Sequence, residues 1–200
     1  MTNSKVVKNR EDSNRLYVDA LQEKHSKLNV VRVDLYYKKD EDGNANISFE
    51  DANSDFNRML NNRRSKPSVF NDQVGYICTK EYTTDRGMHF HAAFFYDGQK
   101  VLNDIHKASQ ICEYWNKEIT KNKGSSNNCN LNAKKQYGEK NGIGMLDHRD
   151  KEKRKNLDSA IGYMCKDEQH IEVVTKNKKN RSVVRGTMPK IKSKSGRPRS

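Results

Sequence analysis

His89-Phe90-His91 places two imidazoles on either side of one bulky apolar residue, within a run of β-favouring residues from Gly87 to Tyr96. Side chains alternate faces along a strand. His89 and His91 therefore point one way, and Phe90, Ala92 and Phe94 point the other way into a core. Two neutral imidazoles side by side on a rigid strand can ligate a divalent metal, and they can equally be strand residues satisfied by hydrogen bonds. The preceding run, Val74 to Tyr82, leads through Thr83-Thr84-Asp85-Arg86-Gly87 and reads as the other arm of a hairpin. A turn centred on Asp85 puts residue 81 opposite 89, 79 opposite 91 and 77 opposite 93. Glu81 then becomes the cross-strand neighbour of His89 on the same face, although a slip of one residue would turn it away. One carboxylate and two imidazoles leave open positions for water and a phosphate oxygen. Such a set suits Mg2+ or Mn2+ acting as a Lewis acid on a scissile phosphate.

Far downstream, Tyr163-Met164-Cys165-Lys166 sits at the end of a helical pattern. Tyr163 lies off the apolar stripe, where its hydroxyl is available as a nucleophile. A phenol ordinarily ionises near pH 10, so Lys166, one turn on, is expected to stabilise the phenolate or the charge that develops. Each residue has a plainer role too: Tyr163 as a half-buried helix residue, Lys166 as a lysine favoured by the helix end, Glu81 as a solvent-facing charge. Asp34 either orients a histidine or pairs with Arg32.

The elements that must carry these groups follow from periodicity. Arg10 to Leu28 predicts a helical arm, with Leu16, Ala20, Leu21 and Leu28 recurring near helical spacing. Residues 28–37 predict a strand, with Val31, Val33 and Leu35 facing the core and Arg32, Asp34 and Tyr36 on an open face. Phe49, Ala52, Phe56, Met59 and Leu60 predict a helix capped by Ser48, with Arg58, Arg63 and Arg64 near its end and Pro67 barring its continuation. After the hairpin, Ile105, Ala108, Ile111, Cys112, Trp115 and Ile119 predict a helix over 103–120, capped by Asn103 or Asp104. Residues 125–141 read as a long exposed loop, 143–146 as a fourth strand and 151–167 as a last helix buried through Leu157, Ala160, Ile161 and Met164. The order β-α-β-β-α-β predicts an α+β, ferredoxin-like antiparallel sheet with helices on one face and the His-bearing strand beside the first strand. The expected division is an arm over 1–27, a domain over 28–175 and a flexible basic tail over 176–200.

Bulk composition narrows the partner. Net charge is +13 over 200 residues, and ten lysines and arginines without any acid lie between Lys176 and Ser200. A polyanion is the expected partner, nucleic acid first. The basic candidates for DNA contact are Arg32, Arg63, Arg64, Lys176, Lys178, Lys179, Arg181, Arg185, Arg197 and Arg199. Gly196-Arg197-Pro198 is similar to the core of an AT-hook. No apolar run is long enough to span a membrane, and the polar N-terminus lacks the apolar segment of a secretory signal. Cys78, Cys112, Cys129 and Cys165 form no C-x-x-C pair, so incidental thiols in a reducing cytoplasm are expected. No G-x-x-x-x-G-K-[ST] occurs, so no helicase motor is expected in the chain.

His89-Phe90-His91 followed by Tyr163-Met164-Cys165-Lys166 resembles the HUH endonuclease pattern, His-hydrophobic-His on a central strand with a Y-x-x-K helix. More closely, the chain resembles the inovirus replication-protein-like family of the YagK/YfjJ C-terminal-domain type. The resemblance is carried by Val31 to Leu35, Phe56 to Arg64, Val74 through Glu81, Gly87 through Phe95, Gln110 to Trp115, Asn128-Cys129-Asn130, Gly142 to Met145, and 156–166. It implies a rolling-circle initiator that nicks single-stranded or hairpin origin DNA through a tyrosyl-DNA intermediate, in the cytoplasm of a bacterial host and with a host helicase unwinding. It also implies Glu81 as third metal ligand, and a single nucleophilic tyrosine rather than a pair. Two other readings compete: a non-cleaving DNA-binding replication regulator on the same fold, and an RNA-binding or structural domain whose histidines merely satisfy a polar sheet face.

Overall fold

The computed structural model describes residues 3–41, 43, 45, 47–165, 171–177 and 179–190. A helix α1 (Asn3–Lys24) leads into strand β1 (Lys27–Tyr37), helix α2 (Phe49–Asn61) and a short helix α3 (Pro67–Phe70). The hairpin β2 (Gln73–Thr83) and β3 (Gly87–Asp97) follows. Helix α4 (Asp104–Glu113) runs on through a π-helical turn to β4 (Gly124–Asn128), α5 (Ala133–Tyr137), β5 (Gly144–Asp147), α6 (Lys151–Tyr163), α7 (Ile171–Val174) and β6 (Val183–Arg185). The sheet is antiparallel and six-stranded in the order β4-β1-β3-β2-β6, with β5 also paired to β1.

Local chemistry accounts for the boundaries. The Ser48 hydroxyl accepts from the Asp51 amide at 3.0 Å, and Glu50 and Asp51 lie in the positive first turn of α2. Asn103 caps α4 through the His106 amide. Gly87 closes the hairpin at φ +65°, a left-handed conformation that side-chain-bearing residues rarely adopt. Gly75 stands where a Cβ would lie 2.6 Å from the Tyr17 hydroxyl, so its bareness lets α1 lie down on β2. The π turn at Tyr114–Ile119 keeps Trp115 and Ile119 both buried, and it delivers the Trp115 indole N–H to the Tyr36 carbonyl at 3.1 Å.

Alternation along the strands creates two cores. Val31, Val33, Leu35, Phe90, Ala92 and Phe94 meet α2, α3 and α4 on one side. Leu28, Val30, Ile77, Ala93 and Phe95 meet α1 and α6 on the other. Helices on one face only is therefore corrected: α1 and α6 cover half of the face that carries the histidines. The stripe read on α1 is corrected as well. Leu16 is 62% exposed and Leu28 belongs to β1, while Tyr17, Val18 and Leu21 are buried. The arm expected over 1–27 thus contributes to the second core.

Three further expectations change. The long loop over 125–141 contains β4 and α5. The fourth strand expected over 143–146 exists as β5, but it shares the outer edge of β1 with β4, pairing its first half while β4 pairs its second. Ser and Asn in β4 carry no alternating hydrophobic signal, because that strand hydrogen-bonds at an edge and faces solvent. The last helix ends at Tyr163, and within the segment expected to be a free tail Val183–Arg185 pair with Ile77–Thr79 of β2.

Phe90 shows what the first core is worth. It is fully buried, stacked on Phe56 at 4.9 Å and edge-on to Trp115 at 5.7 Å. We expect Phe90→Ala to lower the unfolding free energy by about 3–5 kcal/mol in urea titrations.

Candidate metal centre

The hairpin register is the one that brings Glu81 into play: Glu81 pairs with His89 and Thr79 with His91. On the other side of β3, Asp34 of β1 pairs with His91. These positions share the sheet face that α1 and α6 leave open beyond Ala93.

Each imidazole is held by its Nδ1. His89 Nδ1 lies 3.0 Å from the Gly87 carbonyl oxygen, which can only accept, so that nitrogen carries the hydrogen and donates. His91 Nδ1 lies 2.6 Å from Asp34 Oδ1. Both Nε2 atoms then face inward on Glu81 Oε2, at 3.3 Å from His89 and 3.4 Å from His91. One ligand atom from each of the three residues lies within 4.8 Å of the others. Three lone-pair atoms this close, with His89 only 2% exposed, require a proton or a cation between them.

The electrostatics agree. Burial opposes a charged His91 ring, but Asp34 and Glu81 outweigh it and push its pKa up to about 9. Burial also works against the Glu81 carboxylate, yet the neighbouring His89 and His91 rings bring its pKa down to about 2. Asp34 is likewise buried, and it is held below the usual carboxylate range by His91 and Arg32. In the metal-free protein one proton thus does the work of a cation. The donor set, two imidazole nitrogens and a carboxylate with outer hydrogen bonds to Gly87 and Asp34, fits a divalent metal.

Arg32 and Tyr36, expected on this face, complete the surroundings together with Cys129, Asn130 and Arg86, which sequence reasoning gave no place at the site. The Cys129 thiol donates to Asp34 Oδ2 at 3.4 Å, and Arg32 lies 3.8 Å from Asp34 Oδ1. Burial pushes the Cys129 thiol up to about 12, so it remains a donor. Asn130 plugs the gap between β4 and β5, accepting from the Arg32 amide and donating to the Val30 carbonyl. Asn128-Cys129-Asn130, one of the segments that carry the family resemblance, thus braces Asp34, a role that only the fold reveals. Tyr36 stacks on the His89 ring at 5.8 Å, with the Arg86 guanidinium 5.9 Å above Tyr36.

The remaining candidates scatter. Tyr163 ends α6 and is 64% exposed. Its neighbour Met164 accepts a 2.6 Å hydrogen bond from Thr79, the cross-strand partner of His91, which ties this helix end to the histidine face. The Tyr163 ring itself lines a depression of about 660 Å3 with Glu11, Arg15, Asp158 and Gly162. Arg32 is largely buried beside Asp34. Arg63 donates to the Leu60 carbonyl and lies over Tyr76, and Arg64 is exposed in the same 3-10 turn. Lys179 is exposed, and Lys176, Arg181 and Arg185 line one cleft. Lys166, Lys178, Arg197 and Arg199 lie outside the described residues.

The family model of the YagK/YfjJ C-terminal domain matches residues 3–184. The chain belongs to that family. The family match takes in α1 and β6, the two elements that sequence reading had set apart as arm and tail. Neither the curated proteins nor the solved structures return a match to this YagK/YfjJ domain. Among the described residues no helix is long and apolar enough to cross a membrane.

The proton shared at the centre sets two expectations. In chelator, the stability contributed by His91 is complete below about pH 6.5 and is lost as pH rises through about 9, whereas that of Glu81 is complete above about pH 4.5 and is lost as pH falls toward 2. Urea unfolding across pH should show both slopes, and Asp34→Asn should flatten the alkaline one. Calorimetry with Mn2+ should show protons released on binding, affinity rising with pH, and a 10–100-fold loss of affinity in Asp34→Asn.

Proposed function

We propose that the protein is a metal-dependent, HUH-type nickase of single-stranded DNA that initiates rolling-circle replication of a phage or mobile element. The observation that carries this reading is the convergence of Glu81, His89 and His91 on the open sheet face, with both Nδ1 atoms already engaged. A replication regulator that only grips DNA has no use for three inward lone pairs. A ferredoxin-like core is part of the proposal. It is supported by the strand order β4-β1-β3-β2 combined with the chain order β1-α2-β2-β3-α4-β4.

Glu81, His89 and His91 would hold Mg2+ or Mn2+, which supplies Lewis acidity toward a non-bridging phosphate oxygen. Asp34 and the Gly87 carbonyl keep the two imidazoles oriented. Tyr163 is the nucleophile: its phenolic oxygen bonds to phosphorus as the proton leaves, the phosphorus–O3′ bond breaks, and the departing oxygen takes up a proton to become a 3′-hydroxyl. The resulting phosphotyrosine conserves the bond for rejoining. The Thr79–Met164 hydrogen bond supports Tyr163 in this role, because it fixes the end of α6 beside the strand position opposite His91. The seating of Tyr163 against Glu11 and Arg15 favours a second reading, a DNA-binding replication regulator without cleavage.

The test mixes protein, Mn2+ and labelled single-stranded oligonucleotides tiled across the origin of the host element. We expect a covalent adduct that survives denaturation and disappears in Tyr163→Phe and in His89→Ala/His91→Ala. Tight oligonucleotide binding without any adduct would hand the function to the second reading.

A further inference from the structure

A cleft of about 1080 Å3 lies between the first half of α1, α7 and the chain entering β6. Among the described residues four cations line it, Arg10 of α1, Lys176 after α7, and Arg181 and Arg185 around β6, against one acid, Glu172. Among the described residues none of the four is in an ion pair. Arg185 spends its guanidinium on the Ser13 hydroxyl and the Tyr17 ring. The other cleft-lining residues mix amides and hydroxyls with apolar side chains such as Val6, Ile171 and Met188. Ser182 among them is 4% exposed, and its hydroxyl has no hydrogen-bond partner among the described residues. A buried hydroxyl without a partner is costly, and a bound acceptor removes that cost.

Position adds direction. The β6 wall joins the sheet at Val183, which pairs with Thr79, which in turn pairs with His91. Two strand spacings, about 10 Å, separate this wall from the His91 strand.

We propose that this cleft grips the phosphodiester backbone of a single DNA strand running off the metal centre. Arg10, Lys176 and Arg181 neutralise phosphates, and the Ser182 hydroxyl donates to a phosphate oxygen. The choice of nucleic acid rests on the function proposed above. A single strand follows from the same reading, in which the substrate is unpaired DNA. Unpaired cations around an unsatisfied donor are the complement of a phosphate run.

The probe is a fluorescein-labelled oligothymidylate, read by anisotropy in EDTA so that the metal centre carries no cation. For Lys176→Ala/Arg181→Ala, both exposed positions, we expect about tenfold weaker binding and a plot of log K against log salt shallower by about 1.4, roughly 0.7 for each cation removed. Ser182→Ala should weaken binding without changing the slope. Mn2+ binding in both variants should stay that of the parent. Unchanged affinity and slope in the double variant would overturn the assignment, as would equally tight binding of a duplex that loses as much affinity in the same variant. If the adduct assay fails while these effects appear, cleavage falls and the cleft stands. If the adduct forms while the double variant binds like the parent, the cleft falls and cleavage stands.

Discussion

Three electron-rich atoms, two imidazole nitrogens and one carboxylate oxygen, are held facing one another by a hairpin too stiff to let them part. Left alone they repel, and each would turn away if it could. They cannot. Gly87 holds one ring, Asp34 the other, and cross-strand pairing holds Glu81. A positive charge between them relieves that repulsion, and the donor set fits a divalent ion as well as a proton. Much of the remaining architecture makes sense as a means of keeping these atoms in place.

The two cores do that work from opposite sides. The aromatic stack of Phe56, Phe90 and Trp115 fills the space behind the centre and leaves the backbone of β3 no room to rotate. On the front, α1 and α6 bury the lower half of the sheet and stop short of the histidines. The indole N–H of Trp115 reaches the Tyr36 carbonyl, so the π turn that places the indole also braces the strand whose Tyr36 side chain lies against His89. The bridge from Cys129 to Asp34 to His91 runs from the outer edge of the sheet to its middle. An edge segment that looks structureless in sequence thereby orients a central ligand.

Charge is distributed to match the proposed use. Acids collect at the proposed cation site, and arginines and lysines without an ion pair among the described residues collect in the cleft beside β6, where phosphates would pass. The Thr79 hydroxyl, bonded to the Met164 carbonyl, sits between these two regions and ties the tyrosine-bearing helix to both.

Period-two alternation and the length of the Thr83–Gly87 turn were enough, read from the chain alone, to pair Glu81 with His89. Those are local rules, and the hairpin obeys local rules. The cap at Ser48 and the stripe of α2 were legible for the same reason, whereas the adjacency of β1 and β3, and with it Asp34 beside the site, followed from the expected order of the elements. Tertiary structure alone decided where α1 and α6 lie, because an amphipathic helix declares that it has a buried face but not which side of a sheet will take it. It alone made strands of Gly124–Asn128 and Val183–Arg185, whose pairing comes from the exposed edges of β1 and β2 rather than from any preference of their own. And it alone gave Cys129 and Ser182 meaning, since a thiol or a hydroxyl acquires a task only from what is packed against it.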